Sequence, residues 1–121
     1  MPHVERFGTY VILSLSGTEK FFGFHKNIQV KYKDLLSVKP VANAWTRKVL
    51  RGVRAPGTGL PYVVALGTWR LRKGKNFVAV YRKRPAYIFT FTGGDFQQWI
   101  ITPDNTRDEL AKMFEGTFEK N

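Results

Sequence analysis

Apolar and polar residues alternate through most of this chain with the period of a strand, and the period lengthens to that of a helix only near the C-terminus. Residues 10–15 (YVILSL) read as a strand, followed by turn chemistry at Ser16, Gly17 and Thr18. Residues 19–25 contain Phe21, Phe22 and Phe24 and read as the returning strand, with a short helical turn as the alternative. Residues 28–32 (IQVKY) alternate strictly and predict a half-buried strand, which Lys33 and Asp34 break. The strand pattern resumes over 35–41, where Pro40 points to a sheet edge or a strand end. Over 43–53, Trp45, Val49 and Val53 stand at four-residue spacing, the spacing of one helix face, although Arg51 and Gly52 limit such a helix.

A Gly- and Pro-rich stretch, residues 54–61 (RAPGTGLP), then reads as a loop. Residues 62–71 predict a long strand, apolar on both faces at its start and hence central in a sheet. Arg72, Lys73, Gly74 and Lys75 form a hairpin turn, and residues 77–81 the return strand. After a basic turn at Arg82, Lys83 and Arg84, residues 86–92 predict a strand with Tyr87, Phe89 and Phe91 on one face. Gly93, Gly94 and Asp95 turn the chain again, and residues 97–101 close the series. Thr106 and Glu109 then stand at capping-box spacing. Leu110, Met113 and Phe114 form the apolar stripe of an amphipathic helix within 104–116, which Gly116 can end. The expectation is one domain over residues 1–121: a lead-in over 1–9, about seven antiparallel strands, and a C-terminal helix.

Composition supports a packed β-rich domain. At 121 residues about two thirds of the unfolded chain's surface is buried on folding. The chain is 43% apolar and carries ten Phe, five Tyr and three Trp, residues that favour strands. It has no Cys, which excludes disulfides and thiolate metal sites and suits a reducing compartment such as the cytoplasm. No apolar run approaches the length of a membrane-spanning helix, and the first residues lack the pattern of a signal peptide.

Charge adds a different kind of information. Twenty Lys and Arg against nine Asp and Glu leave a net charge of +11, which draws a protein towards polyanions. Eleven of the twenty fall between Arg47 and Arg84, inside an acid-free window that runs from Leu35 to Gly94. Five of the nine acids fall in the last eighteen residues. Part of this charge has a simpler explanation, because Lys and Arg on strand edges and turns discourage edge-to-edge aggregation.

The candidate anion site is the Gly/Pro stretch and the residues leading into it: Arg47, Lys48, Arg51 and Arg54 with Gly57, Thr58 and Gly59. Guanidinium forks beside backbone amides that small residues leave exposed suit a phosphate or carboxylate. The secondary basic turns, Arg72, Lys73 and Lys75 against Arg82, Lys83 and Arg84, lie at opposite ends of one hairpin, about 20 Å apart at roughly 3.3 Å per strand residue, and do not make one pocket. Catalysis finds little support. The chain has no HExxH, GxSxG or GxxxxGK[ST] motif, and the glycines at 57 and 59 do not open a GxGxxG helix. Only Asp34 and Asp95 lie between Lys20 and Pro103, too few for a paired acid/base site. His3 falls in the lead-in, and His25 has no metal partner at two or four residues' distance.

Strands in hairpins followed by one amphipathic helix is the element order of a pleckstrin-homology (PH) fold. The run LRGVRAPGTGLP at 50–61 resembles the LRGLRAPGTGxP loop of a group of bacterial proteins, in which it is followed by ALGT, here Ala65, Leu66, Gly67 and Thr68. The similarity continues through Phe77 to Arg82, through Arg84, Pro85 and Ala86, and to Asp104, covering about residues 25–115. This resembles the bacterial PH-like superfamily, and the resemblance implies a bent antiparallel sandwich or barrel with a C-terminal helix, with no particular activity. Eukaryotic PH domains bind phosphoinositides through a basic first hairpin. The hairpin read here at 10–25 departs from that pattern, with Glu19 and Lys20 at its turn and Phe residues on its second strand. The expectation is therefore a non-enzymatic, cytoplasmic binding or assembly module, without metal or cofactor, taking a protein partner or a second copy of itself. The alternative is peripheral attachment to an anionic membrane or other polyanion through basic loops. Nucleic acid ranks third, because the aromatics beside the cations (Trp69, Phe77, Tyr81, Tyr87, Trp99) fall mostly at core-facing strand positions.

Overall fold

Strand alternation places Val4, Val11, Leu13, Ile28 and Val30 on the buried face of a three-stranded antiparallel sheet. In a computed structural model, which describes residues 2–15, 28–41, 53–60, 64–71, 74–81 and 84–119, this sheet is built from β1 (His3–Phe7), β2 (Tyr10–Ser14) and β3 (Ile28–Lys31) in the order β1-β2-β3. β1 replaces the expected lead-in. Its alternation is short, with only Val4 buried, and was hidden among His3, Glu5 and Arg6. Gly8, at φ 64°, takes the left-handed conformation that lets β1 return into β2 with Phe7 opposite Tyr10.

After a 3-10 turn over Tyr32–Asp34 the chain enters a second, six-stranded sheet. Its strands are β4 (Leu35–Val41), β5 (Val53–Leu60), β6 (Val64–Leu71), β7 (Gly74–Tyr81), β8 (Ala86–Phe91) and β9 (Gln98–Ile101), ordered β4-β8-β9-β7-β6-β5. β4 is an edge strand, as Pro40 suggested, and β6 is interior. Nine strands therefore stand among the described residues where about seven were expected, and the hairpin series is interrupted. β9 turns back from β8 and slots between β8 and β7, antiparallel to the first and parallel to the second. Three of its four residues, Trp99, Ile100 and Ile101, are buried, so it needs cover on both faces and both edges, and only an interior slot supplies that.

The architecture is mainly β and sandwich-like, with the helix packed against it. Phe77, Trp99, Phe89 and Val38 stand side by side in register across four strands, on the sheet face that meets the three-stranded sheet. The helix α1 (Arg107–Met113) and the residue after it lay Leu110 and Phe114 onto that row. The Phe114 ring meets Phe89 edge-on at 5.4 Å and lies 6.5 Å from Tyr32. The predicted capping box is present: Glu109 N–H donates to Thr106 Oγ1 at 3.2 Å and Thr106 N–H to Glu109 Oε1 at 2.8 Å. The opposite face of the larger sheet holds a second buried cluster of Trp69, Val78, Val80, Ala86 and Ile100.

Short segments before and after α1 each seal a sheet edge. Asp104 N–H donates to Pro2 O at 2.9 Å. Asn105 is buried and brackets Val4, accepting from its N–H at 2.9 Å and donating to its carbonyl at 3.0 Å, so that one amide side chain completes β1 as a neighbouring strand would. On the other side of the helix, Val38 N–H donates to Thr117 O at 3.0 Å and Glu119 N–H to Val38 O at 2.8 Å, covering the outer edge of β4.

Candidate functional site

The Gly/Pro stretch is not a loop. Residues 53–60 form β5, the outermost strand of the larger sheet, with Arg54 opposite Trp69, Gly57 opposite Gly67 and Gly59 opposite Ala65. The register shifts between Ala55 and Gly57, which leaves Pro56 at the irregularity, where its missing N–H interrupts no ladder bond. Extended backbone spaces Arg54 and Gly59 about 16 Å apart along the strand. Arg47, Lys48, Arg51, Arg72, Lys73, Arg82 and Lys83, and the readings for 19–25 and 43–52, lie outside the described residues. Of the basic turns, Lys75 is held in β7 with its ammonium 5.1 Å from the Phe96 ring centre. Arg84 is exposed between β7 and β8, at the far end of the same hairpin, as expected. His3, placed by the sequence in a lead-in, belongs to β1 and hydrogen-bonds through Nδ1 to the Asp104 carboxylate.

Two surfaces at opposite ends of the sandwich combine charge with an opening or a protrusion. The first is the β1–β2 turn. Phe7, Tyr10 and Lys31 stand in one cross-strand row on the outward face of the small sheet. Phe7 is 73% exposed and Tyr10 38%, an uncommon pairing of neighbouring aromatics in water. The 3-10 turn is tied against this end by Tyr32 N–H, which donates to Thr9 O at 2.8 Å, and brings Lys33 beside Lys31. Neither lysine is ion-paired among the described residues. Arg6 has a structural role instead: its guanidinium lies 3.7 Å from the Tyr32 ring centre and donates to Met113 O at 3.3 Å.

The second surface is a cleft of about 750 Å³ between the end of β4, the start of β8 and the segment leading into α1. Arg84 and Arg107 supply its cations, Tyr87 a phenol, and Pro40, Pro85 and Pro103 apolar walls. Phe118, set against β4 by the edge contact, lies 6.3 Å from the Tyr87 ring and 5.8 Å from the Arg107 guanidinium. Burial pushes the Tyr87 phenol above its usual pKa, and the nearby Arg107 charge opposes that push only in part. The phenol therefore stays protonated at neutral pH and is available as a donor.

Among the described residues no three His, Cys, Asp or Glu side chains gather as metal ligands, and no helix is long and apolar enough to cross a membrane. No protein-family model, curated protein or solved structure matches this chain. Sequence reasoning named Arg84 but missed Phe7, Lys31, Lys33, Tyr87 and Arg107. One signal for Arg107 was available: a cation in the first turn of a helix opposes the macrodipole, which favours acids there.

Proposed function

We propose that this chain is a non-enzymatic binding module of the bacterial PH-like kind that attaches to an anionic membrane surface from the cytoplasm, with the β1–β2 turn as its point of contact. The single observation that carries this reading is Phe7, held 73% exposed at a hairpin tip, next to Tyr10 and to Lys31 and Lys33, neither of them ion-paired among the described residues. An aromatic tip ringed by lysines matches a bilayer surface, where the ring enters the acyl boundary and the ammonium groups stay among the headgroups. The PH-like assignment draws support from the C-terminal helix packed on a β-sandwich, while the parallel insertion of β9 is an addition to a simple series of hairpins.

Magnitudes set the character of the contact. Each lysine near an anionic surface contributes about 1 kcal/mol. Burial of one Phe side chain contributes about 2 kcal/mol. A total of about 4 kcal/mol corresponds to roughly millimolar affinity, which the overall charge of the chain augments at low salt. This describes reversible, peripheral attachment.

Co-sedimentation with neutral and anionic phospholipid vesicles tests the reading. The expected result is pelleting that requires anionic lipid, declines at high salt, and weakens about thirtyfold in Phe7→Ala. Pelleting that is indifferent to lipid charge or to Phe7 would sink it. Self-association is a second reading, favoured by one feature: β1 and β4 have their outer edges sealed, whereas β5 is the last strand of its sheet. A light-scattering mass equal to one chain at high protein concentration would remove it.

A further inference from the structure

The cleft at the opposite end of the sandwich has no part in the membrane reading, and its chemistry is different. Two guanidinium groups, Arg84 and Arg107, line one opening, and no carboxylate among the described residues is within ion-pair distance of either. The only acid among the described residues of the lining, Asp104, is engaged with His3. Tyr87 has its ring packed in the core and also lines the cleft. Arg107 occupies the first position of α1, where a cation is unfavourable to the helix, and its side chain is placed over Phe118 rather than over a carboxylate. A cation kept at this position with no carboxylate to pair it fits a side chain that serves a ligand.

The walls narrow the class of ligand. Pro40, Val41, Pro85, Ala86 and Pro103 offer a rigid, largely apolar lining, and the volume of about 750 Å³ falls in the range of small-molecule sites. A bare inorganic ion would leave most of that lining unused. We propose that this cleft binds a small organic oxyanion, a phosphate monoester or carboxylate borne on a flat apolar body, with Arg84 and Arg107 on the oxyanion, the Tyr87 hydroxyl as a further donor, and the prolines against the apolar body. Guanidinium forks suit both oxyanions, because each presents paired oxygens at matching spacing.

Amide NMR titration of the whole chain tests this with phenyl phosphate, benzoate and inorganic phosphate. Saturable shifts are expected at Arg84, Ala86, Tyr87 and Asn105 through Arg107 with at least one of the aromatic anions, and weaker binding of inorganic phosphate. Preference for phenyl phosphate assigns the phosphate class and preference for benzoate the carboxylate class. Arg84→Gln and Arg107→Gln should each weaken binding by about tenfold or more, as loss of a charged hydrogen-bond partner predicts. Both side chains are exposed, so the variants are expected to fold, and unchanged spectra away from the cleft will verify it. Lys75→Gln, at the other end of β7, should leave the affinity unchanged. Absence of saturable shifts with either aromatic anion overturns the proposal. So does equal weakening by Lys75→Gln, which marks nonspecific charge, or tighter binding of inorganic phosphate than of both aromatic anions. Vesicle binding by Arg84→Gln should match that of the unaltered chain, so failure at the cleft and failure at the hairpin tip are distinguishable.

Discussion

Two regions of the sandwich use aromatic residues in opposite ways. Around α1, Phe89, Trp99 and Phe114 are buried, and each ring packs against another. At the β1–β2 turn, Phe7 and Tyr10 pair across two strands and remain in water. Both regions rest on the same strand alternation. The difference is the second layer: the inner face of the larger sheet receives a helix and a second sheet, whereas the outer face of the small sheet receives nothing at Phe7 among the described residues. Exposure of an aromatic residue is thus set by which face it occupies and what lies over it, and only the second of these can be attributed to tertiary packing.

Three substitutions sharpen this comparison. The largest effect on stability is expected from Phe114→Ala, which removes a fully buried ring from the contact with Phe89 and Tyr32 and should cost about 3–5 kcal/mol in chemical denaturation. A loss below that of an ordinary surface change would mean that the helix is not docked on the aromatic row. Asn105→Ala comes next. It leaves the N–H and carbonyl of Val4 without their side-chain partner in a buried setting, a loss of about 2–3 kcal/mol. Hydrogen exchange should speed up at the Val4 amide in particular, and an unaltered rate there would contradict the bracket. The smallest effect is expected from Phe7→Ala, within about 0.5 kcal/mol of the parent, because the residue is already 73% exposed. Substantial destabilisation by Phe7→Ala would erase the contrast between the two regions and, with it, the case for Phe7 as a contact residue.

Much of the larger sheet was legible because its strands carry their own signals. The runs at 35–41, 77–81 and 86–92 combine β-branched and aromatic residues with clear boundaries, and Tyr87, Phe89 and Phe91 face the core as their alternation required. The helix was legible for a local reason too, since Thr106, Glu109, Leu110 and Phe114 all act within one or two turns of each other. β1 was not, because its Val4 is closed into the sheet by Asn105, over a hundred residues away. The Gly/Pro stretch misled in the other direction. Its composition is that of a loop, but pairing of seven residues with β6 and a register shift at Pro56 accommodate it as an edge strand.

For the candidate sites, charge was the visible half. The basic body of the chain could be counted, and Arg84 belonged to it. Nothing local distinguishes Arg84 from Lys75, yet one lines a cleft with Arg107 and Tyr87 while the other rests on Phe96. Phe7 was equally silent, being one apolar residue in a polar segment.

By itself the sequence determined the β-rich class, the boundaries of the strongest strands, the capped amphipathic helix, the absence of thiol chemistry and the excess of positive charge. These follow from short-range sterics, periodicity and composition, which act within a few residues of their cause. Tertiary structure alone decided that β9 would lie between β7 and β8, that the segments flanking α1 would seal β1 and β4, and that Arg84 and Arg107 would line one cleft. The physical reason is that strand order and side-chain convergence depend on which distant edges and faces can satisfy one another's backbone groups and apolar surface together, a condition of the whole chain that no local stretch of it contains.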